Sequence, residues 1–183
     1  MVSNRAKKID LDVKALLAHW PAIGYDSADD EVADFYSKME GAVSSGSGTG
    51  AGRFSFFAKK KLTDVFIFAM LLGKIDGPKE GKEDYLKNGK GRKSTINAVY
   101  FADNAKYVWM MIAVALEDTY NEDPGNSDAI IGLMKKENAG KIIEICEKYA
   151  NHGIHALIQM QKDSAGSEGF LGYEKKLSEL LDE

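Results

Sequence analysis

Val65-Phe66-Ile67-Phe68-Ala69-Met70-Leu71-Leu72, closed by Gly73, is an almost unbroken apolar run. Ala69, Met70, Leu71 and Leu72 favour a helix over the competing buried strand. A helix apolar on nearly every side belongs deep in a core, and Gly73 offers a natural C-cap. The aromatic lead-in Phe54-Ser55-Phe56-Phe57 and three lysines, Lys59, Lys60 and Lys61, precede the run. Lys74 to Thr95 follows, with glycines at 77, 81, 89 and 91 and a proline at 78. It reads as a long exposed loop with room for one turn over Glu83 to Lys87. Loops of this length inside compact domains tend to be functional or mobile. This one carries seven Lys/Arg against four Asp/Glu, densest at Lys87-Asn88-Gly89-Lys90-Gly91-Arg92-Lys93.

A second apolar run, Tyr107 to Leu116, predicts another buried helix, capped by Asp103 or Asn104 and running to about Asp118. Ile96 to Phe101 reads as a short strand or an extended lead-in. On the N-terminal side, Leu11, Leu16, Leu17 and Trp20 share a helical face over Asp10 to His19, ended by Pro21 and Gly24. Ser27, with Asp30 three residues on, resembles a capping box for a helix from Ala28 to Glu40 that buries Val32, Phe35, Tyr36 and Met39. Ser127 predicts the cap of a short helix bearing Ile130, Ile131, Leu133 and Met134. After Asn138, apolar residues from Ile142 to Ile158 recur at helical spacing for about five turns. Leu171, Leu177, Leu180 and Leu181 mark a final short helix.

The expected fold is mainly α, a compact single-domain bundle of about six to eight helices, two of them buried on all sides. It divides into an N-terminal helical pair (1–40), a Gly/Ser-rich linker or loop (41–53) and a main helical body (54–183) with an exposed basic loop at 74–95.

The chain has 183 residues, 44% of them hydrophobic and 28% charged, which suits one ordinary globular domain. A formal net charge of -4 argues against a surface positive all over, yet leaves room for a local basic patch. The single cysteine, Cys146, excludes an intrachain disulfide. Lys7, Lys8, Asp10 and Asp12 interrupt the start, where no apolar signal core occurs. Apolar runs of about ten residues are too short to span a membrane. A soluble cytoplasmic protein is expected.

Most constellations that suggest chemistry have a plain structural reading. In Gly41 to Gly52, the third glycine of a dinucleotide loop is replaced by Ala51 or Arg53, and no Gly-Lys pair has the Walker spacing, so a solvated linker is expected. His152 and His155 lie near Cys146, but no second cysteine completes a zinc set. Two surface or boundary histidines and one core cysteine account for them. His19 sits at a helix end, where capping explains it. Asp26, Asp29, Asp30, Glu31 and Asp34 suit a helix N-terminus. Glu117, Asp118, Glu122 and Asp123 read as a solvated acidic turn without calcium-loop spacing. No catalytic residue, metal or cofactor is expected.

The basic segments are the functional candidates. Lys59, Lys60, Lys61, Lys87, Lys90, Arg92 and Lys93 offer cations for phosphate, and Tyr85 offers a stacking surface. Lysines that merely solubilise the ends of sticky helices are the bland alternative.

Two motifs carry a family resemblance. Asp64-Val-Phe66-Ile-Phe-Ala69-Met-Leu-Leu-Gly73 resembles the "DVF-x-x-A-x-x-x-G" helix of small accessory proteins encoded with bacterial and archaeal DNA phosphorothioation (Dnd) systems. Glu147-Lys-Tyr149-Ala150-Asn151-His-Gly153-Ile154, with Leu157, resembles their "E-x-Y-A-N-x-G" helix, and Ile112 to Leu116 occupies the matching middle position. The resemblance spans roughly Phe54 to Gln161. It implies an accessory part in DNA modification or defence against foreign DNA, and supplies no catalytic residues. The motif positions themselves are packing positions: Gly153 suits close helix approach, and Tyr149 can bury its ring while its hydroxyl finds a partner.

The expected function is therefore a non-enzymatic accessory protein of a DNA-modification or anti-foreign-DNA defence system. It would act through protein contacts, with other proteins of the same system, and through DNA phosphates. The alternatives are a metal-dependent enzyme assembled from scattered Asp, Glu and His, and a homo-oligomeric helical scaffold.

Overall fold

A computed structural model describes residues 17–26, 29–44, 61–76 and 93–163. The described chain is mainly helical. Strand β1 (Ile23–Asp26) leads into helix α1 (Asp30–Ser44). Helix α2 (Leu62–Asp76) precedes strand β2 (Lys93–Ile96) and a 3-10 helix over Ala98–Asp103. Helices α3 (Ala105–Glu122), α4 (Ser127–Leu133) and α5 (Ala139–Asp163) complete it. Among the described residues no helix is long and apolar enough to cross a membrane.

The apolar run becomes α2, as its composition predicts. Val65, Phe66, Ile67, Phe68, Ala69, Met70 and Leu72 are all buried. Its start is fixed by Asp64, whose Oδ2 accepts from the Lys61 N–H at 2.7 Å while its Oδ1 accepts from the Tyr107 hydroxyl at 2.7 Å. One carboxylate thus satisfies an orphan donor at the helix entry and ties α2 to α3. The Tyr107 phenol is pushed up to about 12 by burial first and then by its bond to Asp64.

Gly73 does not end the helix, which continues to Asp76. Its role is tertiary. A Cβ at Gly73 would run into the Tyr149 carbonyl oxygen and lie 2.9 Å from Gly153 N. A Cβ at Gly153 would run into the Ala69 carbonyl oxygen and lie 2.7 Å from Gly73 N. Helices α2 and α5 therefore cross backbone against backbone, through a glycine on each side. The two family-like motifs are the two halves of this one contact.

Around that crossing the remaining elements close the core. Phe66 meets Phe101 edge-to-face at a centroid distance of 5.8 Å. Tyr25 stacks on Tyr36 at 3.9 Å, which joins β1 to α1. Glu147, buried on α5, accepts from the Gly24 N–H of β1 at 2.5 Å. Leu17, Trp20, Ile23, Val32, Phe35 and Tyr36 belong to the same core as α2 and α5, so these residues pack with the main body.

Several local expectations change. Ile23–Asp26, read as a break between helices, is a strand antiparallel to β2, with Ile23 opposite Ile96 and Asp26 opposite Lys93. Residues 98–101, read as part of a strand or extended lead-in, belong to a 3-10 helix over Ala98–Asp103 capped by Asn97, whose Oδ1 accepts from the Val99 N–H at 3.0 Å. Helix α1 is capped by Asp29, whose Oδ1 accepts from the Glu31 and Val32 N–H groups at 2.9 and 3.2 Å, not by Ser27. The cap of α4 is Asn126, accepting from the Ala129 N–H at 3.0 Å, not Ser127. Helix α3 buries Val108, Met111, Ile112, Val114 and Ala115, but Trp109 is 47% exposed. It is a boundary helix, because α5 and its neighbours cover only one of its sides. Residues 41–44, read as the start of the 41–53 linker, are instead the last turn of α1; the rest of that linker, most of the basic loop, the helix before Leu17 and the C-terminal helix lie outside the described residues.

The crossing makes a sharp expectation. Helix propensity alone makes Gly→Ala favourable by about 1 kcal/mol inside a helix. Here Gly73→Ala and Gly153→Ala should each destabilise by about 3 kcal/mol, because backbone cannot yield as a flexible side chain does. Denaturant midpoints of the two variants check this, and a stabilised variant would contradict the crossing.

Candidate functional site

The basic candidates divide by where the chain places them. Lys61 stands at the entry of α2, and Lys93 opens β2. Lys59, Lys60, Lys87, Lys90 and Arg92 lie outside the described residues. Lys61 and Thr95 nevertheless line the same cleft, of about 520 Å³, together with Thr63, Ile96, Tyr100 and Asp103. Lys61 and Thr95, which end two lysine-bearing segments of sequence, thus line one cleft. Its walls are largely apolar, and Tyr100, 60% exposed, stands at the rim.

Charge in the cleft is not simply positive. Lys61 Nζ donates to Asp103 Oδ2 at 2.7 Å, with the two side chains 61% and 65% exposed. This hydrogen bond, followed by the attraction of the carboxylate, holds the Lys61 ammonium above its ordinary pKa. Lys61 is thus a cation at neutral pH, and its charge is opposed by a carboxylate 42 residues away in sequence. An exposed pair of this kind contributes little to stability. Sequence reading found Lys61 and missed Asp103, Thr95 and Tyr100, because nothing local marks residues that only a tertiary cleft brings together.

A second polar cluster sits near the other end of α2. The Tyr149 hydroxyl donates to Asp118 Oδ1. Lys74 Nζ donates to the Tyr149 hydroxyl at 3.4 Å, stands 4.9 Å from its ring centroid, and lies 3.6 Å from Glu117 Oε1. Lys148 Nζ lies 5.6 Å from the same ring and 3.9 Å from Asp118 Oδ2. Asp118 is therefore buried and paired rather than part of a solvated acidic turn. Burial, then the hydrogen bond to Asp118, pushes the Tyr149 phenol far up. A phenol held protonated in this way neither accepts nor gives up a proton near neutral pH. The cluster locks α2, α3 and α5 together.

The Cys146 and histidine constellation also resolves into structure. Cys146 is buried, with Sγ 3.5 Å from the Met111 carbonyl, and burial raises its thiol pKa so far that thiolate chemistry is suppressed. His152 is buried, not at the surface as read from sequence, and His155 is half-buried with Nε2 3.8 Å from Asp29 Oδ2. Lys162 reaches Glu31 at 2.6 Å. His155 and Lys162 therefore face the N-terminal turn of α1, anchoring it to α5. Among the described residues no group of three or more His, Cys, Asp or Glu is placed to hold a metal ion.

No protein-family model, no curated protein and no solved structure matches the chain.

Tyr149→Phe removes the donor from a buried carboxylate and should cost about 2 kcal/mol. Adding Asp118→Asn should recover part of that loss by removing the charge. Urea unfolding of the single and double variants checks both; equal stability of Tyr149→Phe and wild type would remove the lock.

Proposed function

We propose that this chain is a non-enzymatic accessory protein of a DNA-modification or anti-foreign-DNA defence system. Its working surface is the cleft between the entry of α2 and β2, which contacts phosphate. One observation carries the reading: Lys61 and Thr95, the near ends of two lysine-bearing segments, border one cleft. Lys59 and Lys60 precede Lys61 directly in sequence, and Lys87, Lys90 and Arg92 run into Lys93. A polyanion at the cleft meets Lys61, with the other cations near it in sequence, in a chain whose overall charge is -4. Thr95 and Tyr100, both exposed, offer further polar contacts at the cleft. The two motif halves that resemble the Dnd-associated accessory proteins meet at Gly73 and Gly153, so the resemblance falls on one continuous interface. Other proteins of the same system are the expected protein partners.

The test is duplex DNA affinity measured across salt concentrations. Wild type should bind with an affinity that falls steeply as salt rises. Changing Lys87, Lys90, Arg92 and Lys93 together to Ala should flatten the log–log salt slope by about three to four units. Asp103→Asn, which releases Lys61, should tighten binding by about threefold without altering the fold. Salt-independent binding, or a quadruple variant indistinguishable from wild type, would defeat the reading.

A further inference from the structure

We infer that the exposed face of α3 is the contact between two antiparallel copies of this chain. Ala105, Trp109, Ala113, Leu116 and Tyr120 follow one another at intervals of three and four, so they form a single apolar stripe along the helix. Trp109 is 47% exposed and Tyr120 50%; Ala105 and Ala113 are exposed as well, and Leu116 is partly buried. Two large aromatic side chains with alanines between them make a row of knobs and shallow seats. Aromatic anchors of this type dominate the energetics of protein interfaces.

The flank of the stripe identifies the occupant. Lys106 and Glu117 are both exposed. Eleven residues are three helical turns plus about 20°, so the two charges stand on the same side of the stripe, about 16 Å apart. A two-fold axis perpendicular to α3 keeps each flank on its own side and reverses the helix direction. Placed midway between the charges, it sets Lys106 of one copy across from Glu117 of the other, twice. The same axis passes close to Ala113, where the absence of bulk lets the helices approach. It also brings each Trp109 over the gap between Ala113 and Leu116 of the other copy. A parallel pair turns the two charged flanks away from each other and forms neither contact. Glu117 already lies 3.6 Å from Lys74 Nζ, but its side chain is 60% exposed, which leaves it able to accept a second cation. The surface is thus self-complementary in shape and charge, the requirement of an isologous interface. The contact is small, and its dissociation constant belongs on the order of micromolar.

Sedimentation equilibrium of the full chain, from about 1 to 500 µM, tests this. Wild type should show a reversible monomer–dimer equilibrium. Trp109→Glu, at an exposed position and with unchanged far-ultraviolet circular dichroism, should weaken it by about tenfold or more. Lys106→Glu and Glu117→Lys should each weaken self-association by about tenfold, and an equimolar mixture of the two should recover a dimer, since both charge pairs then form in the heterodimer. A wild type that stays monomeric throughout would overturn the inference. So would a folded Trp109→Glu variant that dimerises as well as wild type, or a mixture as weakly associated as its components.

Discussion

Everything else in this molecule is arranged around a place where two helices touch through their backbones. At Gly73 and Gly153 there is no room for a single extra carbon, and each glycine faces a carbonyl oxygen of the opposite helix. Such an approach sacrifices helix propensity on both sides. In exchange it lets the apolar residues of α2 reach past the crossing and fill the core from Val65 to Leu72. Helix α5, 25 residues long, then serves as the spine. Glu147 holds β1 to it, Tyr149 holds α3 through Asp118, and His155 and Lys162 face the start of α1.

The two ends of α2 have separate duties. Lys74 near its exit joins the charge cluster around Tyr149, whose phenol bonds to the buried Asp118 while two ammonium groups stand close to the carboxylates. Lys61 at its entry lines a cleft and pairs with Asp103, both side chains being mostly exposed. Buried, mutually satisfied polar groups fix structure, whereas exposed, weakly committed ones are available for binding. The working surface proposed above accordingly lies at the entry of α2 and not at the more conspicuous cluster of charges.

The helices were legible because their signals are local and strong. The run from Val65 to Leu72 predicts a buried helix, and the spacing from Ile142 to Ile158 predicts α5 from near its first turn. Gly73 was misread because a glycine after an apolar run satisfies the local rule for a C-cap, while its true partner lies 80 residues away at Gly153. Asp118 sits among acidic neighbours that are solvated, and only the fold turns it inward to Tyr149. Trp109 is apolar by letter but lies on the side of α3 that α5 does not cover, and composition cannot say which side that is. Strand β1 has four residues, one of them Gly24, and its identity comes from pairing with β2 rather than from its own pattern. Of the candidate site, the cations were visible as lysines in sequence; the cleft that gathers Lys61 with Thr95, Tyr100 and Asp103 was not, since it joins three separate segments.

The most direct measurement of the central contact is native-state hydrogen exchange at the amides of residues 69–73 on α2 and 149–153 on α5. If the glycine crossing orders the fold, these amides should exchange only through global unfolding and share one free energy and one denaturant dependence. Exchange from either group through a smaller, local opening, while the rest of the core stays protected, would contradict the account.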